Sequence, residues 1–392
     1  MSGLNRTSLY DAHVAAGATM VDFGGWEMPI QYPGGIVSEH LYDRKHCGIF
    51  DVSHMGRILV EGEQREAFLQ KVLTGNVAAL VPGRAQYCMI PSETGGVVDD
   101  AYLYMFEQER YLLVVNASNR EKDLAHFAKY LPEYDCVLKD ITFTTASVAV
   151  QGPKAESILK VLTGGADITD AKKNSLGCHT MEGHTVYVSK TGYTGDPDGW
   201  ELFVDAADAL WLWNRLVELG ANPTGLGARD TRRLEAGLPL YGHEMGTDGA
   251  GEEIPVFAVS LARFAVSFHE DKGDFVARTL LLAQKEQGTP GKIYPVALID
   301  RGVMRAGMDV YADDTHVGWI TSGTMVPYYH FDEAGEILDT TGKRAIGFAY
   351  LKGDIQPGQI ISVDVRGKRL KAKIVKRHLI QNQPPYARAE IN

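Results

Sequence analysis

Polar residues beside apolar strands mark the segments of this 392-residue chain that could do chemistry. Two adjacent carboxylates, Asp99 and Asp100, stand between a glycine turn and an apolar strand that we predict over residues 101–106. In extended backbone, neighbouring side chains point to opposite faces, so only one of the two carboxylates can face a pocket. A solvated turn is the alternative that an isolated pair favours, because aspartate is mainly a turn and surface residue.

Two further segments could carry a site. Residues 190–195 followed by Gly199-Trp200-Glu201-Leu202 form a loop and then a strand, which is either a binding loop or a plain hairpin with an aromatic anchor. Residues 227–230 open a predicted helix, where Arg229 works against the helix dipole. An anionic partner of Arg229 would offset this unfavourable interaction with the dipole. The neighbouring Asp230 is the alternative source of the compensating charge.

The familiar nucleotide, metal and hydrolase motifs are missing from the sequence. There is no P-loop, HExxH or GxSxG, and Gly225-Leu226-Gly227 lacks the third glycine of a dinucleotide fingerprint. His54, His243 and His330 are not grouped with other ligands at metal spacing, so we expect structural or surface histidines and no metal site. The net charge of −11 argues against a surface that grips nucleic acid or anionic lipid as a whole.

Cysteine usage and hydropathy favour a cytoplasmic protein. Four scattered cysteines without a CxxC pair fit reduced thiols better than a zinc ribbon or a disulfide framework. No stretch is apolar for long enough to span a bilayer, and the first residues lack the apolar core of a signal peptide. We therefore expect an intracellular protein with neither nucleic acid nor membrane as a partner.

Strand and helix patterns alternate in the segments that must position these residues. Residues 1–50 are expected to be turn-rich and irregular. Strands are predicted over residues 57–61, 111–116, 147–151 and 185–189. Helices are predicted over residues 63–73, 118–130, 153–162, 206–219 and 227–238. The segment Ser118-Asn119-Arg120-Glu121 has the pattern of a capping box at the start of the second helix.

The last hundred residues differ, because short strands with period-two alternation and frequent turns dominate there. Strands are predicted over residues 296–299, 317–321, 346–351, 360–365 and 370–375, a density that suggests a small barrel or sandwich. The segment Gly288-Thr289-Pro290-Gly291 has the composition of a linker. The pattern therefore predicts an α+β body over residues 1–287 and an all-β domain over residues 292–392.

An ordered set of segments resembles the aminomethyltransferase family, the T-protein of the glycine cleavage system. The matching segments are residues 20–29, 50–56, 95–100, 115–123, 151–155, 191–195, 225–230, 233–238 and 240–242. They occur in the family's order and densely cover the chain from about residue 7 to residue 245. The resemblance implies an α+β folate-binding body with a ferredoxin-like unit, followed by a C-terminal β-barrel.

The resemblance also implies a tetrahydrofolate-dependent transfer of one carbon. In the family, an aminomethyl group arrives on the lipoyl arm of the H-protein, folate takes up the methylene carbon, and ammonia and the dihydrolipoyl carrier leave. The family's catalytic aspartate falls on Asp100, whose carboxylate would polarise folate nitrogens and stabilise an iminium-like cation. The family's cofactor-binding positions fall on Met55, Tyr87, Tyr104, Asn116, Tyr193, Glu201, Arg229, Arg305 and Tyr386. Aromatic rings suit a pteridine, a carboxylate suits its N–H donors, and an arginine suits a carboxylate.

Two regions depart from the family pattern. Residues 255–264 lack its usual glutamate and tryptophan, and residues 325–341 intervene before Gly342-Lys343. Related folate-dependent demethylases share the core motifs and differ in such regions, so a demethylase or methylene transferase acting on a small molecule is the alternative. A non-catalytic folate-binding module is disfavoured, because the Lys-Gly-Cys motif of the family's iron–sulfur branch is absent.

Two features of the C-terminal domain could affect how the one-carbon donor binds. They are residues 325–341 and a group of lysines. Residues 325–341 are expected to be an added surface loop that shapes donor access, or else a hairpin that packs its aromatic residues on the barrel. Lys371 and Lys373 alternate with apolar residues and therefore share one strand face. This basic face could dock an acidic carrier or the folate glutamate tail, or it could be a solvated edge strand.

Overall fold

The computed structural model describes residues 3–106, 110–165, 168, 172–196, 198–376 and 378. Its contacts divide the chain into two compact units. The first unit comprises Met1–Glu93, Val98–Arg229 and Phe264–Arg278, and the second comprises Thr94–Val97, Asp230–Arg263 and Thr279–Asn392. A domain division at the 288–291 linker stays a prediction.

The first fifty residues form regular elements, so the predicted irregular segment is wrong. They comprise α1 (Tyr10–Ala15), β1 (Thr19–Phe23), β2 (Trp26–Gln31), α2 (Gly35–Lys45) and β3 (Gly48–Asp51). Strands β1 and β2 form a two-stranded antiparallel sheet. Helix α2 shows no apolar stripe in the sequence, because its buried residues are Glu39, His40, Asp43 and Arg44.

A five-stranded antiparallel sheet contains the ferredoxin-like unit. Its strands, in the order β5-β6-β7-β4-β8, are β4 (Gly56–Glu61), β5 (Arg84–Pro91), β6 (Val97–Met105), β7 (Tyr111–Val115) and β8 (Val137–Asp140). Helices α3 (Arg65–Val72) and α4 (Arg120–Phe127) cover one face of this sheet through an apolar core. Without β5, the chain order is β4-α3-β6-β7-α4-β8, the βαββαβ order of a ferredoxin-like unit.

A six-stranded sheet forms the second layer of the first unit. Its order is β10-β11-β12-β9-β3-β13, with β9 (Thr145–Gln151), β10 (Leu176–Met181), β11 (His184–Ser189), β12 (Gly199–Asp205) and β13 (Asn222–Pro223). Helices α5 (Ala155–Leu162) and α6 (Ala209–Glu218) cover one face of this sheet. In that core, Leu159 and Leu212 of the helices pack with Val150 of β9.

The other faces of the two sheets share an apolar cluster that brings β6 and β12 together. This cluster contains Tyr104 of β6 and Phe203 of β12, with Tyr102 packed against it. The intervening residue Leu103 belongs instead to the core beneath α3 and α4. Because side chains alternate along a strand, Asp100 shares the face of the two tyrosines. Asp99 faces the helices.

A closed antiparallel barrel forms most of the second unit. Helices α7 (Leu226–Glu235), α8 (Ala262–Ala265) and α9 (Arg278–Gln287) precede it in the chain. Its strands, in the order β14-β17-β16-β15-β18-β19, are β14 (Gly291–Leu298), β15 (Asp309–Ala312), β16 (Thr315–Phe331), β17 (Ile337–Lys352), β18 (Ile360–Val365) and β19 (Lys368–Ile374). The α+β class with a C-terminal β-barrel is confirmed. Among the described helices, none is both long and apolar enough to cross a membrane.

Residues 325–341 belong mainly to a long β-hairpin. Strands β16 and β17 pair from Gly318 opposite Leu351 to Phe331 opposite Ile337, and the turn occupies residues 332–336. The predicted surface loop is therefore wrong, and the hairpin of the alternative is confirmed, whereas the packing of its aromatic residues on the barrel stays a prediction. Whether this hairpin governs the donor stays a prediction.

Lys371 and Lys373 lie on a barrel strand that is paired on both of its sides. Strand β19 pairs with both β18 and β14, so the alternative of a solvated edge strand is wrong. Lys371 is exposed and Lys373 partly exposed, whereas Ala372 and Ile374 are buried. The predicted outward face of the two lysines is confirmed.

Candidate active site

Asp100 is half-buried on the tyrosine face of β6, whereas Asp99 is fully buried. The hydroxyl of Tyr87 donates to Asp100 Oδ2 at 3.0 Å, and Asn116 Nδ2 donates to Asp100 Oδ1 at 2.8 Å. The two aspartates therefore lie inside a strand, and the alternative of a solvated turn is wrong. Three of the predicted site residues meet directly at this carboxylate.

The side-chain amide of Asn116 joins the two aspartates. Its Nδ2 also donates to Asp99 Oδ1 at 2.8 Å, and its backbone N donates to Asp99 Oδ2 at 2.9 Å. Asn119 Nδ2 donates to Asp99 Oδ1 at 2.6 Å. No side chain caps the start of α4, so the predicted capping box is wrong. With both of its N–H groups used, the Asn116 amide fixes the orientation of the Asp100 carboxylate.

Burial raises the pKa of Asp100 to about 7, and the negative charge of Asp99 adds to this effect. The hydrogen bonds from Tyr87 and Asn116 lower the pKa of Asp100 and only partly offset the increase. Burial and the charge of Asp100 raise the pKa of Tyr87 well above its usual value, so this hydroxyl keeps its proton. Asp100 is thus poised between two protonation states near neutral pH, as suits a group that handles protons.

Glu201 brings a second carboxylate to the same layer from β12. Its neighbours Trp200 and Leu202 point into the core beneath α5 and α6, so Glu201 faces the tyrosines. Tyr104 donates to Glu201 Oε2 at 2.9 Å, and the Thr191 hydroxyl donates to the same oxygen. No residue in the described part of the chain donates to Glu201 Oε1. Glu201 is half-buried, and this oxygen can accept hydrogen bonds from the N–H groups of a ligand.

A row of three tyrosine rings joins the two carboxylates. The ring centroids of Tyr87 and Tyr102 are 5.8 Å apart, and those of Tyr102 and Tyr104 are also 5.8 Å apart. Tyr102 is the member that sequence reasoning missed, although period-two alternation places residue 102 on the face of residues 100 and 104. An aromatic row with a carboxylate at each end suits a planar heterocycle with polar edges.

Arg229 and Tyr193 form a cation–π pair, with the guanidinium 5.2 Å from the ring centroid. The start of α7 positions this arginine. A Cβ at Gly225 would lie 2.4 Å from the backbone oxygen of Ile30, so only glycine fits there. The backbone N of Gly225 donates to the buried Glu39 carboxylate at 2.9 Å.

Met55 precedes β4 and packs against an apolar cluster that contains Phe50. Its neighbour His54 is buried. Burial, together with the charges of Arg229 and Arg57, lowers the pKa of His54 to about 4, although the charge of Asp51 partly opposes this. His54 is therefore neutral at pH 7, which fits the structural role expected of it.

Arg305 and Tyr386 stay predictions. Arg305 belongs to the second unit, where its exposed guanidinium donates from Nη1 to the Gly323 carbonyl at 2.9 Å. Tyr386 lies outside the described residues. All other predicted site residues belong to the first unit.

Comparison with known proteins identifies the family of the chain and agrees with its fold. The family model of the GCVT N-terminal domain matches residues 9–259. An aminomethyltransferase of Geobacillus kaustophilus (strain HTA426) is 43% identical over 95% of this chain and 97% of its own length. One from Bacillus subtilis (strain 168) is 39% identical over 95% of this chain and 98% of its own length.

A solved structure is similar over nearly the whole chain. It is the crystal structure of glycine cleavage system aminomethyltransferase T from Bartonella henselae, with a TM-score of 0.82 and 27% identity. The match covers 95% of this chain and 97% of that chain. Fold and site together define an α+β transferase with a C-terminal β-barrel. The chain belongs to the GCVT family of aminomethyltransferases.

Proposed function

We propose that the chain is a tetrahydrofolate-dependent aminomethyltransferase of the glycine cleavage system. It moves the methylene carbon from an aminomethyl-lipoyl carrier protein to tetrahydrofolate and releases ammonia. The observation that carries this proposal is the tyrosine row with Asp100 at one end and Glu201 at the other. The near full-length similarity to aminomethyltransferases supports it.

The side chains of the row fit a folate. Glu201 Oε1 is available to accept hydrogen bonds from the pterin amino group and ring N–H, and the tyrosines offer aromatic surface to the ring. Arg229 supplies a positive charge for a ligand carboxylate. Tyr87, Tyr104 and Asn116 act mainly by orienting the two site carboxylates. When bound, tetrahydrofolate supplies the nitrogens that take up the carbon.

Asp100 is the group with the chemical role. In its ionised form it stabilises the positive charge that develops on the transferred carbon as the carbon–sulfur bond opens. Because its pKa is about 7, it can also take up a proton near neutral pH. Tyr87 and Asn116 fix the carboxylate by one hydrogen bond to each oxygen, so it is oriented before the donor arrives.

The carrier protein is the proposed partner of the second unit. Lys371 and Lys373 project outward from β19, and an acidic carrier surface would complement them. Arg305 and Tyr386 remain proposed contributors to the folate site on the strength of the family motif alone.

A donor comparison tests the proposed function. The purified chain is incubated with tetrahydrofolate and either the lipoylated carrier loaded with an aminomethyl group or small methylated amines. We expect methylene-tetrahydrofolate and ammonia in equal amounts with the carrier, and no product with the small donors. Turnover of a small donor without the carrier would establish the demethylase alternative instead. Absence of transfer from every donor would refute both functions.

A further inference from the structure

The helix-facing side of β6 holds a carboxyl group that no step above uses. Asp123 lies on α4, is fully buried, and its carboxyl group lies within hydrogen-bonding reach of the Asp99 carboxylate. Among the described residues, no N–H or O–H group donates to either oxygen of Asp123. This residue therefore meets only another carboxylate where a buried anion would need donors.

The hydrogen bonds decide which of the two carboxyls carries a proton. A buried carboxylate without donors is strongly destabilised, so Asp123 is the neutral acid. Asp99 accepts three N–H groups, two from Asn116 and one from Asn119, and such bonds favour its ionised form. In agreement, burial and the charge of Asp99 raise the pKa of Asp123 to about 10.

We propose that Asp123 is a positioning residue that, as a neutral acid, donates its proton to Asp99 and so holds Asn116 and Asp100 in place for the transfer. The connection runs from Asp123 to Asp99, from Asp99 to the Asn116 amide, and from that amide to Asp100 Oδ1. Its kinetic consequences rest on the proposed function. The shared proton limits the three neighbouring carboxyls to two negative charges.

Other titratable groups around the pair leave this assignment unchanged. Lys122, the neighbour of Asp123 on α4, lowers the pKa of Asp123, whereas the charge of Asp100 raises it. On β5, burial raises the pKa of the Cys88 thiol to about 12, and Tyr87 also keeps its proton. The charge of Lys122 is outweighed by burial and by the charge of Asp99, so Asp123 keeps its proton.

Two substitutions at Asp123 distinguish the loss of its hydrogen-bond donor from the loss of its carboxyl group. In Asp123→Ala a hydrogen bond that lowers the pKa of Asp99 is lost, so that pKa rises and Asp99 accepts less strongly from Asn116. We expect kcat to fall about tenfold, the effect of one charge-assisted hydrogen bond, with tetrahydrofolate affinity unchanged. The acid limb of the kcat profile moves to lower pH, because Asp99 then carries less negative charge to raise the pKa of Asp100.

Asp123→Asn keeps a neutral donor in place and is expected to restore most of kcat and the wild-type position of the acid limb. Glu121→Gln, an exposed change on the same helix, controls for the loss of a carboxyl. An acid limb that stays at the wild-type pH in Asp123→Ala would overturn the proposal.

Infrared spectroscopy gives a readout that needs no activity and no unstable variant. At neutral pH, the wild-type minus Asp123→Asn difference spectrum should show the carbonyl stretch of a protonated carboxylic acid, and the Glu121→Gln difference should not. Absence of that band would overturn the proposal. If the wild type transfers no carbon, the proposed function fails, while this spectrum still decides whether Asp123 carries the proton.

Discussion

Two aspartates of the first unit, Asp51 and Asp100, both accept hydrogen bonds in shielded surroundings. Their pKa values are nevertheless shifted in opposite directions from the usual value of an aspartate. Asp51, at the end of β3, accepts from Thr7 Oγ1 at 2.6 Å and the Ser53 backbone N at 2.8 Å, and it pairs with His13 Nε2 at 3.0 Å. Burial raises the pKa of Asp51, but the hydrogen bond and charge of His13, together with the hydrogen bonds from Ser53 and Thr7, outweigh burial and hold that pKa at about 2. The pKa of Asp100 is instead raised to about 7.

The neighbours, rather than burial alone, explain this difference. Asp51 meets a histidine ring, the Thr7 hydroxyl and the Ser53 backbone N–H, so it stays an anion and ties α1 to β3. Asp100 lies beside Asp99, which in turn contacts Asp123, so its charge can change near neutral pH. A carboxylate that stays ionised can stabilise the fold, whereas a carboxylate whose protonation changes near neutral pH can take part in a reaction.

The largest expected effect comes from breaking the Asp51 network. Asp51→Ala leaves the His13 and Thr7 partners buried without an acceptor, so we expect the free energy of unfolding to fall by about 3–5 kcal/mol. Urea unfolding at pH 7 measures this. Asp11→Ala, an exposed change on α1, should cost less than about 0.5 kcal/mol. A similar small loss in both variants would contradict the structural role of Asp51.

The same network predicts how stability depends on pH. The folded-state pKa of Asp51 lies below its unfolded value, so its contribution is fully present above about pH 4 and is lost as the pH falls towards 2. The contribution amounts to about 2 kcal/mol for a shift of this size. Asp51→Ala should therefore flatten the wild-type loss of stability between pH 4 and pH 2.

Folate affinity tests two of the proposed ligand contacts, Glu201 and Arg229. Glu201→Ala and Arg229→Ala should each weaken tetrahydrofolate binding by about 1–3 kcal/mol, as expected when a charge-assisted hydrogen bond is lost in a shielded pocket. Titration calorimetry measures this, and Glu218→Ala on the exposed side of α6 is the control. Unchanged affinity in both site variants would place the folate elsewhere.

The hairpin of β16 and β17 offers a test of donor access. Residues 329–340 are replaced by a short Gly-Ser turn, while Val326 is kept because it is buried in a core with Ile346. We expect the kinetic constants for the donor to change several-fold and folate affinity to stay the same. A shortened protein that turns over the same donor at the same rate would show that the hairpin is dispensable.

The smallest expected effect concerns the basic face of β19. Charge reversal at both Lys371 and Lys373 should weaken carrier binding a few-fold at low salt and reduce its salt dependence. Lys292→Glu, an exposed change on the neighbouring strand β14, is the matched control. Carrier binding with an unaltered salt dependence would remove the docking role and leave only a solvated face.

Local periodicity could predict part of the site but not its full composition. Alternation along one strand correctly put Asp99 and Asp100 on opposite faces. It also implied a shared face for Asp100, Tyr102 and Tyr104, yet Tyr102 was missed because no motif marks it. The hydrogen-bond partners of Asp100, Tyr87 and Asn116, come from β5 and from the end of β7, which pattern alone does not bring together.

Elements with buried polar residues were the hardest to predict. Helix α2 buries charged side chains. Asp123 of α4 is also buried, although aspartate is a residue type that is usually exposed. In both cases a tertiary partner makes the burial possible: Gly225 donates to Glu39, and Asp99 accepts from Asp123. The C-terminal strands were easier to predict, because apolar and polar residues alternate along them and the apolar ones face the inside of the closed barrel.

The most direct test of the central claim is the turnover of Asp100→Asn with the aminomethyl-lipoyl carrier and tetrahydrofolate. Asparagine keeps the size of the side chain and can still accept from Tyr87, but it lacks the adjustable charge. We expect kcat to fall by about 10²–10³, with tetrahydrofolate affinity within about tenfold of the wild type. Turnover equal to the wild type would contradict the catalytic role of Asp100 and the contrast with Asp51.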